Sequence, residues 1–446
     1  MCSGTIMDKL IAFSLPLLLS GILQLMFNAV DIIVVGRFSG SQALAAVGST
    51  TALINIFTNL FIGISLGASV LAARYYAAGR GKEMSETVHT AITLALVSGV
   101  GMAFVGLAFA GTALELMGTP SDVIGQAALY MRIYFLGMPF FMLYNYGAAI
   151  LRAVGDTRRP LMFLVVSGLA NVVLNMVLVI IFHLGVAGVA IGTVVSQFIS
   201  CILVLRCLYR TEGSYQLRFS KLRIQPRCMK LIFQVGIPAG IQSTVINFSN
   251  AMLQSSVNSF GSTAMAGYTA ANNILGFLYV SINSVTQACM SFTSQNYGVG
   301  KFRRMDQVLK DCLILSVGVA GVLGGGAWLF GTQILQIYTQ DPEVIACGLE
   351  IVSITTIPYF LCGVMDLLPG ALRGMGYSAV PMILSVIGTV GTRILWIFVL
   401  FPRHRSLFFL FISYPGSWIF TIVLQVVCFW FVRKRMLRGQ NGTEKN

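Results

Sequence analysis

The sequence predicts an all-α polytopic membrane protein, with twelve transmembrane helices in two parallel six-helix lobes related by a pseudo-two-fold axis along the membrane normal. Three observations carry that expectation. The 446 residues are 56% hydrophobic and only 10% charged, whereas a soluble domain carries about 25% charged residues. Apolar runs of about 20 residues, the length that crosses a bilayer, recur along almost the whole chain. The second half also repeats the first at a constant offset.

The runs begin near Leu10, Ser49, Thr87, Ile124, Pro160, Gly185, Leu231, Ala264, Gln307, Val344, Val380 and Leu407. The first is a span and not a signal peptide, because it is long, lacks a small-residue cleavage site and belongs to the repeat. Short polar turns join most runs. The one long connector, from about Arg206 to Lys230, divides the chain near its middle. The expected organisation is therefore an N-terminal lobe over 1–210, a connector over 211–230, a C-terminal lobe over 231–432 and a basic tail over 433–446, its last residues disordered.

The formal charge of +14 comes from 29 basic and 15 acidic residues. With the N-terminus inside, 24 of the basic residues fall in cytoplasmic segments, chiefly Arg74–Lys82, Arg152–Arg159, Arg206–Lys230, Lys301–Lys310 and the tail. Only Arg37, Arg403 and Arg405 fall outside, while Arg132 and Arg393 lie within spans. The bias puts both termini in the cytoplasm, so the positive charge is a topology signal and no nucleic-acid partner is expected.

The repeat has an offset of 221 residues. It aligns Leu151-Arg152-Ala153-Val154-Gly155 with Leu372-Arg373-Gly374-Met375-Gly376, Pro160 with Pro381, and Gly40-Ser41 with Gly261-Ser262. Tyr76, Gly79 and Met84 pair with Tyr297, Gly300 and Met305. Six helices per repeat is an even number, so the halves share one orientation. Parallel repeats of this kind build a central cavity between lobes in several transporter folds.

Chemistry is sparse. Asp31 and Asp366 are the two carboxylates well inside apolar runs, and an ionisable group at that depth usually faces a cavity or a partner. Asn171 and Asn175 lie four apart on the fifth span, so both amides project from one face. Thr193 adds a hydroxyl on the sixth span. One carboxylate, two amides and a hydroxyl form a set of hard oxygen ligands suited to Na⁺, and the carboxylate could equally take a proton; bonding of the amides between helices is the plainer alternative. On the seventh span Asn250, Gln254 and Asn258 fall at i, i+4 and i+8, a polar stripe that a water-filled cavity would explain. Asn283 and Gln287 on the eighth span, Asp366 on the tenth, and Tyr144 and Asn145 on the fourth complete the candidate substrate-cavity residues. The nine cysteines form no CxxC pair, and no catalytic triad, zinc motif or phosphate loop is present. No resident cofactor is expected, and an enzyme is disfavoured.

With these features the sequence resembles the multidrug and toxic compound extrusion (MATE) family. The resemblance covers nearly the whole chain and rests on the doubled twelve-span plan, Val30-Asp31 leading into Val35-Gly36-Arg37, Leu151-Arg152 with Gly155-Asp156 and Pro160, its copy at Leu372-Arg373-Gly374, and Gly188 through Gln197. The loop after the second span, Ala73 through Arg80, lacks the Asp expected of the major facilitator superfamily. The resemblance implies a monomeric plasma-membrane (inner-membrane) antiporter in which inward movement of H⁺ or Na⁺ drives export of drugs, often organic cations. It implies a cation site at Asp31, Asn171, Asn175 and Thr193, and helix bending at Pro16. Many relatives carry Asp where this chain has Asn175, so its site holds one charge fewer, and some carry a second-lobe carboxylate about one turn before Asp366. The alternatives are a flippase for a lipid-linked saccharide, which would be expected to line its cavity with several basic residues, and a membrane-embedded enzyme or receptor.

Overall fold

The computed structural model describes residues 1–443, the side chains of 52 and 436–443 excepted. Lys445, counted above with the tail, lies outside the described residues. The chain forms α1 (Met7–Phe38), α2 (Ser41–Ala77), α3 (Gly81–Leu116), α4 (Ile124–Leu136), α5 (Met138–Ala153), α6 (Arg158–Met176), α7 (Gly185–Arg210), α8 (Pro226–Asn258), α9 (Ser262–Gly298) and α10 (Phe302–Leu329). It continues through α11 (Gly331–Gln336), α12 (Pro342–Thr356), α13 (Tyr359–Gly374), α14 (Ala379–Ser385), α15 (Thr392–Leu395), α16 (Leu407–Phe411) and α17 (Ser413–Thr443). Many helices start several residues before their apolar runs, because hydrogen bonding continues where hydrophobicity stops. The tail is helical as far as Thr443.

Among the described residues, ten helical segments are long and apolar enough to cross a bilayer, and two bent pairs raise the number to twelve when each pair is one span. The bends are 46° between α4 and α5 and 48° between α12 and α13. Pro139 opens α5 and Pro358 caps α13; a proline supplies no amide N–H to the helix ladder, so the helix turns there.

The 221-residue offset holds in the backbone. It carries Gly40, Gly79 and Gly155, with φ of 89°, 68° and 98°, onto Gly261, Gly300 and Gly376, with φ of 98°, 72° and 94°. These left-handed turns close the same helix ends in each half, a conformation that a Cβ opposes. The starts of α2, α3, α5 and α6 map onto those of α9, α10, α13 and α14 at the same spacing.

The chain divides into two compact units, Leu15–Gly240 and Met1–Ser14 with Ile241 onward. In the first unit the backbones of α2 and the start of α8 approach closely. A Cβ on Gly63 would fall 2.3 Å from Gly240 Cα, and one on Gly67 would fall 2.2 Å from the Ile232 carbonyl oxygen. Gly63 and Gly67 face Gly236 and Gly240, a pair of small-xxx-small motifs that lets helix backbones approach where lipid gives no hydrophobic drive. Between α7 and α8, Leu217 is fully buried, and His89 Nε2 accepts from the Arg218 amide at 3.0 Å. His89 Nδ1 then donates to the Ser85 carbonyl at 2.6 Å, so this histidine anchors the connector. In the second unit α9 packs against α10, α12 and α13. There Phe13 at the start of α1 meets Phe292 edge-on at 5.7 Å.

Candidate functional site

In the first unit α1 and α6 bring Asp31, Asn171 and Asn175 together. The Asn175 side-chain amide donates to Asp31 Oδ1 at 2.5 Å and lies 3.3 Å from Asn171 Oδ1, one helical turn away. Asn175 is fully buried and Asn171 nearly so, while Asp31 is half-buried. Gly192 on α7 makes the space: a Cβ there would sit 2.1 Å from Asn175 Oδ1. That oxygen has no hydrogen-bond partner among the described residues. A buried, unpaired carbonyl beside a carboxylate is costly in a fold that needs neither. Thr193, next to Gly192, donates its hydroxyl to its own helix at the Val189 carbonyl, 3.0 Å away, and is not bonded to the other three. Tyr130 and Tyr134, stacked at 6.2 Å on α4, are within electrostatic range of Asp31.

The second unit gathers its own polar residues. Asp366 on α13 is half-buried, with Arg373 and Tyr279 as electrostatic neighbours. Arg373 donates to Gln242 Oε1 at 2.6 Å. The repeat motif holding Arg373 reads in sequence as loop charge, but seven residues is two helical turns, which puts it on the face of Asp366. Gln287 donates to Asn283 Oδ1 at 3.1 Å. Asn250 accepts from Arg393 at 2.7 Å, while Gln254 and Asn258, further along the same stripe, are exposed. Tyr144 and Asn145 join neither group. The Tyr144 hydroxyl donates to the Pro160 carbonyl at 3.1 Å and the Asn145 amide to the Phe141 carbonyl at 2.8 Å.

Sequence reading missed Gly192, Arg373 and the two α4 tyrosines as parts of these groups. The i, i+4 spacing of Tyr130 and Tyr134 was the available signal; a glycine opposite an amide leaves none. Among the described residues no three His, Cys, Asp or Glu side chains converge. An alkali cation would therefore depend on amide and hydroxyl oxygens. A concavity of about 390 Å³ lined by Arg159, Cys207, Arg210, Thr211, Glu212 and Tyr215 is remote in sequence from Asp31 and Asp366, and Arg159 there pairs with Asp156 at 3.2 Å.

The sequence profile of the family described as MatE matches twice, over residues 16–177 and 238–399, again at nearly the repeat spacing. The chain is 31% identical over 433 residues to "Probable multidrug resistance protein YoeA" of Bacillus subtilis (strain 168), covering 95% of this chain and 93% of that one. It is 26% identical to "Probable multidrug resistance protein YpnP" of the same organism, covering 86% of each chain. A crystal structure described as MATE in the bent conformation superposes with a TM-score of 0.88 at 20% identity, covering 99% of this chain and 98% of that one.

Proposed function

The chain belongs to the MatE family of multidrug and toxic compound extrusion transporters, and on that premise we propose that it exports drugs, chiefly organic cations, from the cytoplasm in exchange for an inward cation. It is a multi-pass membrane protein, and the family is one of transporters. The further reading is that a monomer in the plasma membrane, both termini cytoplasmic, alternates access between its two lobes, taken as 1–210 and 231–432 about the 211–230 connector. Asp31 with Asn171, Asn175 and Thr193 is the coupling site; in the second unit Asp366 with Asn250, Gln254, Asn283 and Gln287 serves the substrate.

The observation that carries this reading is the Asn175–Asp31 hydrogen bond. The amide offers Asp31 an N–H while its carbonyl faces Gly192, the Asn171 carbonyl is engaged by Asn175, and the Thr193 hydroxyl bonds within α7 without joining the other three. Arranged so, the group suits a carboxylate that gains and loses a proton better than an Na⁺ cage, which needs several convergent oxygens. Coupling follows if the proton binds unequally in the two access states, since an ion with equal affinity for both shifts nothing. Dye efflux from everted vesicles, driven separately by H⁺ and Na⁺ gradients, tests it: H⁺ alone should suffice, and strict dependence on Na⁺ would refute it.

Two further results are expected. A cysteine replacing the exposed Glu212 in the connector should resist an impermeant thiol reagent added to intact cells and react once the cells are opened. Labelling from outside would reverse the orientation. Asp366→Asn should cut efflux of a permanently charged cation by roughly tenfold and of a neutral compound by much less, because a half-buried carboxylate interacts with charge in a low dielectric. Equal losses would assign Asp366 a structural role.

A further inference from the structure

Arg393 lies in α15, a single turn between two π-helical stretches, Val386–Gly391 and Trp396–Leu400. Wide turns of this kind inside helices concentrate at functional sites. The residue is 3% exposed, and a buried guanidinium within a span is expensive and ordinarily finds a carboxylate. This one does not. The ion pairs among the described residues join Arg159 to Asp156 and Arg433 to Asp306. Asp366 has Arg373 as its charged neighbour instead.

The partners that Arg393 has are neutral. Its Nε donates to Ser417 Oγ at 3.4 Å, one terminal nitrogen donates to Asn250 Oδ1 at 2.7 Å, and the Tyr414 ring lies 4.2 Å from the guanidinium carbon. The second terminal nitrogen has no hydrogen-bond partner among the described residues and, unlike the sealed Nε of Arg373, keeps contact with open space. The Asn250 stripe leads from it to the exposed Gln254 and Asn258. Cys362, one turn before Asp366 on α13, is within electrostatic range of both Asp366 and Arg393. A positive and a negative side chain thus both act on Cys362 in the second unit.

We propose that Arg393 is an anion subsite that takes the carboxylate of an amphoteric transported compound, whose cationic end faces Asp366. The planar guanidinium matches a carboxylate in shape and charge, and the incoming oxygen meets the unpartnered nitrogen. The inference rests on the proposed export function and narrows its substrate class.

Rhodamine 110, which carries a free carboxylate, and rhodamine 123, its methyl ester, test this by fluorescence polarisation with the purified full chain. The wild-type chain should bind both. Arg393→Gln should weaken rhodamine 110 by about tenfold or more and leave rhodamine 123 within about twofold, the loss of a charge-assisted bond. Arg393→Lys, which keeps the charge but not the fork, should weaken rhodamine 110 by about threefold and spare the ester. If the glutamine variant does not purify as a single species, the lysine variant decides. Equal losses for the two dyes, or no loss for rhodamine 110, overturn the subsite. Wild-type binding of rhodamine 123 without rhodamine 110 overturns the subsite alone; binding of neither overturns the export function with it.

Discussion

Asp31→Asn should abolish accumulation of a dye against its gradient, down to the level of vesicles without the protein, at normal expression. The substitution removes the charge and keeps the shape. An asparagine there can still present an oxygen to the Asn175 amide that now reaches Asp31 Oδ1, so α1 and α6 remain joined and the fold survives. What is lost is the group that takes the driving proton. Downhill movement of the dye should persist, because substrate contacts in the second unit are untouched. Thr193→Ala should cost less than about tenfold, since one neutral hydroxyl already bonded within its helix is removed. Undiminished uphill accumulation by Asp31→Asn would remove this carboxylate from the mechanism.

Gly63→Leu should prevent correct assembly of the first unit. A Cβ at that position meets the Gly240 backbone at 2.3 Å, and backbone, unlike the far end of a side chain, has no rotamer to yield. Overpacking in a close-packed core typically costs about 1–3 kcal/mol, and a branched side chain against main chain belongs at or beyond the top of that range. The expected outcome is a sharply lowered melting temperature and a poor yield of monodisperse protein. A glycine facing open space on α10, such as Gly321, should accept the same change with little effect. A Gly63→Leu protein with unaltered melting would mean that α2 and α8 do not approach as closely as described.

Much of this fold could be read from the sequence, and the reasons are physical. Span length and loop charge are imposed by the bilayer, so they leave a record in composition. The repeat is a record of a different kind, and residue pairs such as Gly79 and Gly300 recur in the structure with φ of 68° and 72°. Of the first-unit candidates, Asp31, Asn171 and Asn175 were found because polar groups in an apolar run are conspicuous and the two amides share a helical face. Thr193 was found by the same rule, yet its hydroxyl turns to Val189, since a helix always offers a threonine its own carbonyls. Gly192 could not be found, because what matters there is the amide that a missing side chain admits. Arg373 was misleading in sequence because a guanidinium on a long stem can begin near a helix end and still reach inward to Gln242. The partners of Arg393 come from α8 and α17, elements remote in sequence that periodicity cannot connect.

The most direct test is proton movement itself. The purified chain would be reconstituted into vesicles without Na⁺, a substrate gradient imposed, and the internal pH followed with a trapped indicator. The expected result is proton flux opposite to the substrate for the wild-type chain and none for Asp31→Asn. Proton flux that persists in Asp31→Asn, or substrate movement that requires Na⁺ and ignores pH, would contradict the assignment of Asp31 as the coupling carboxylate.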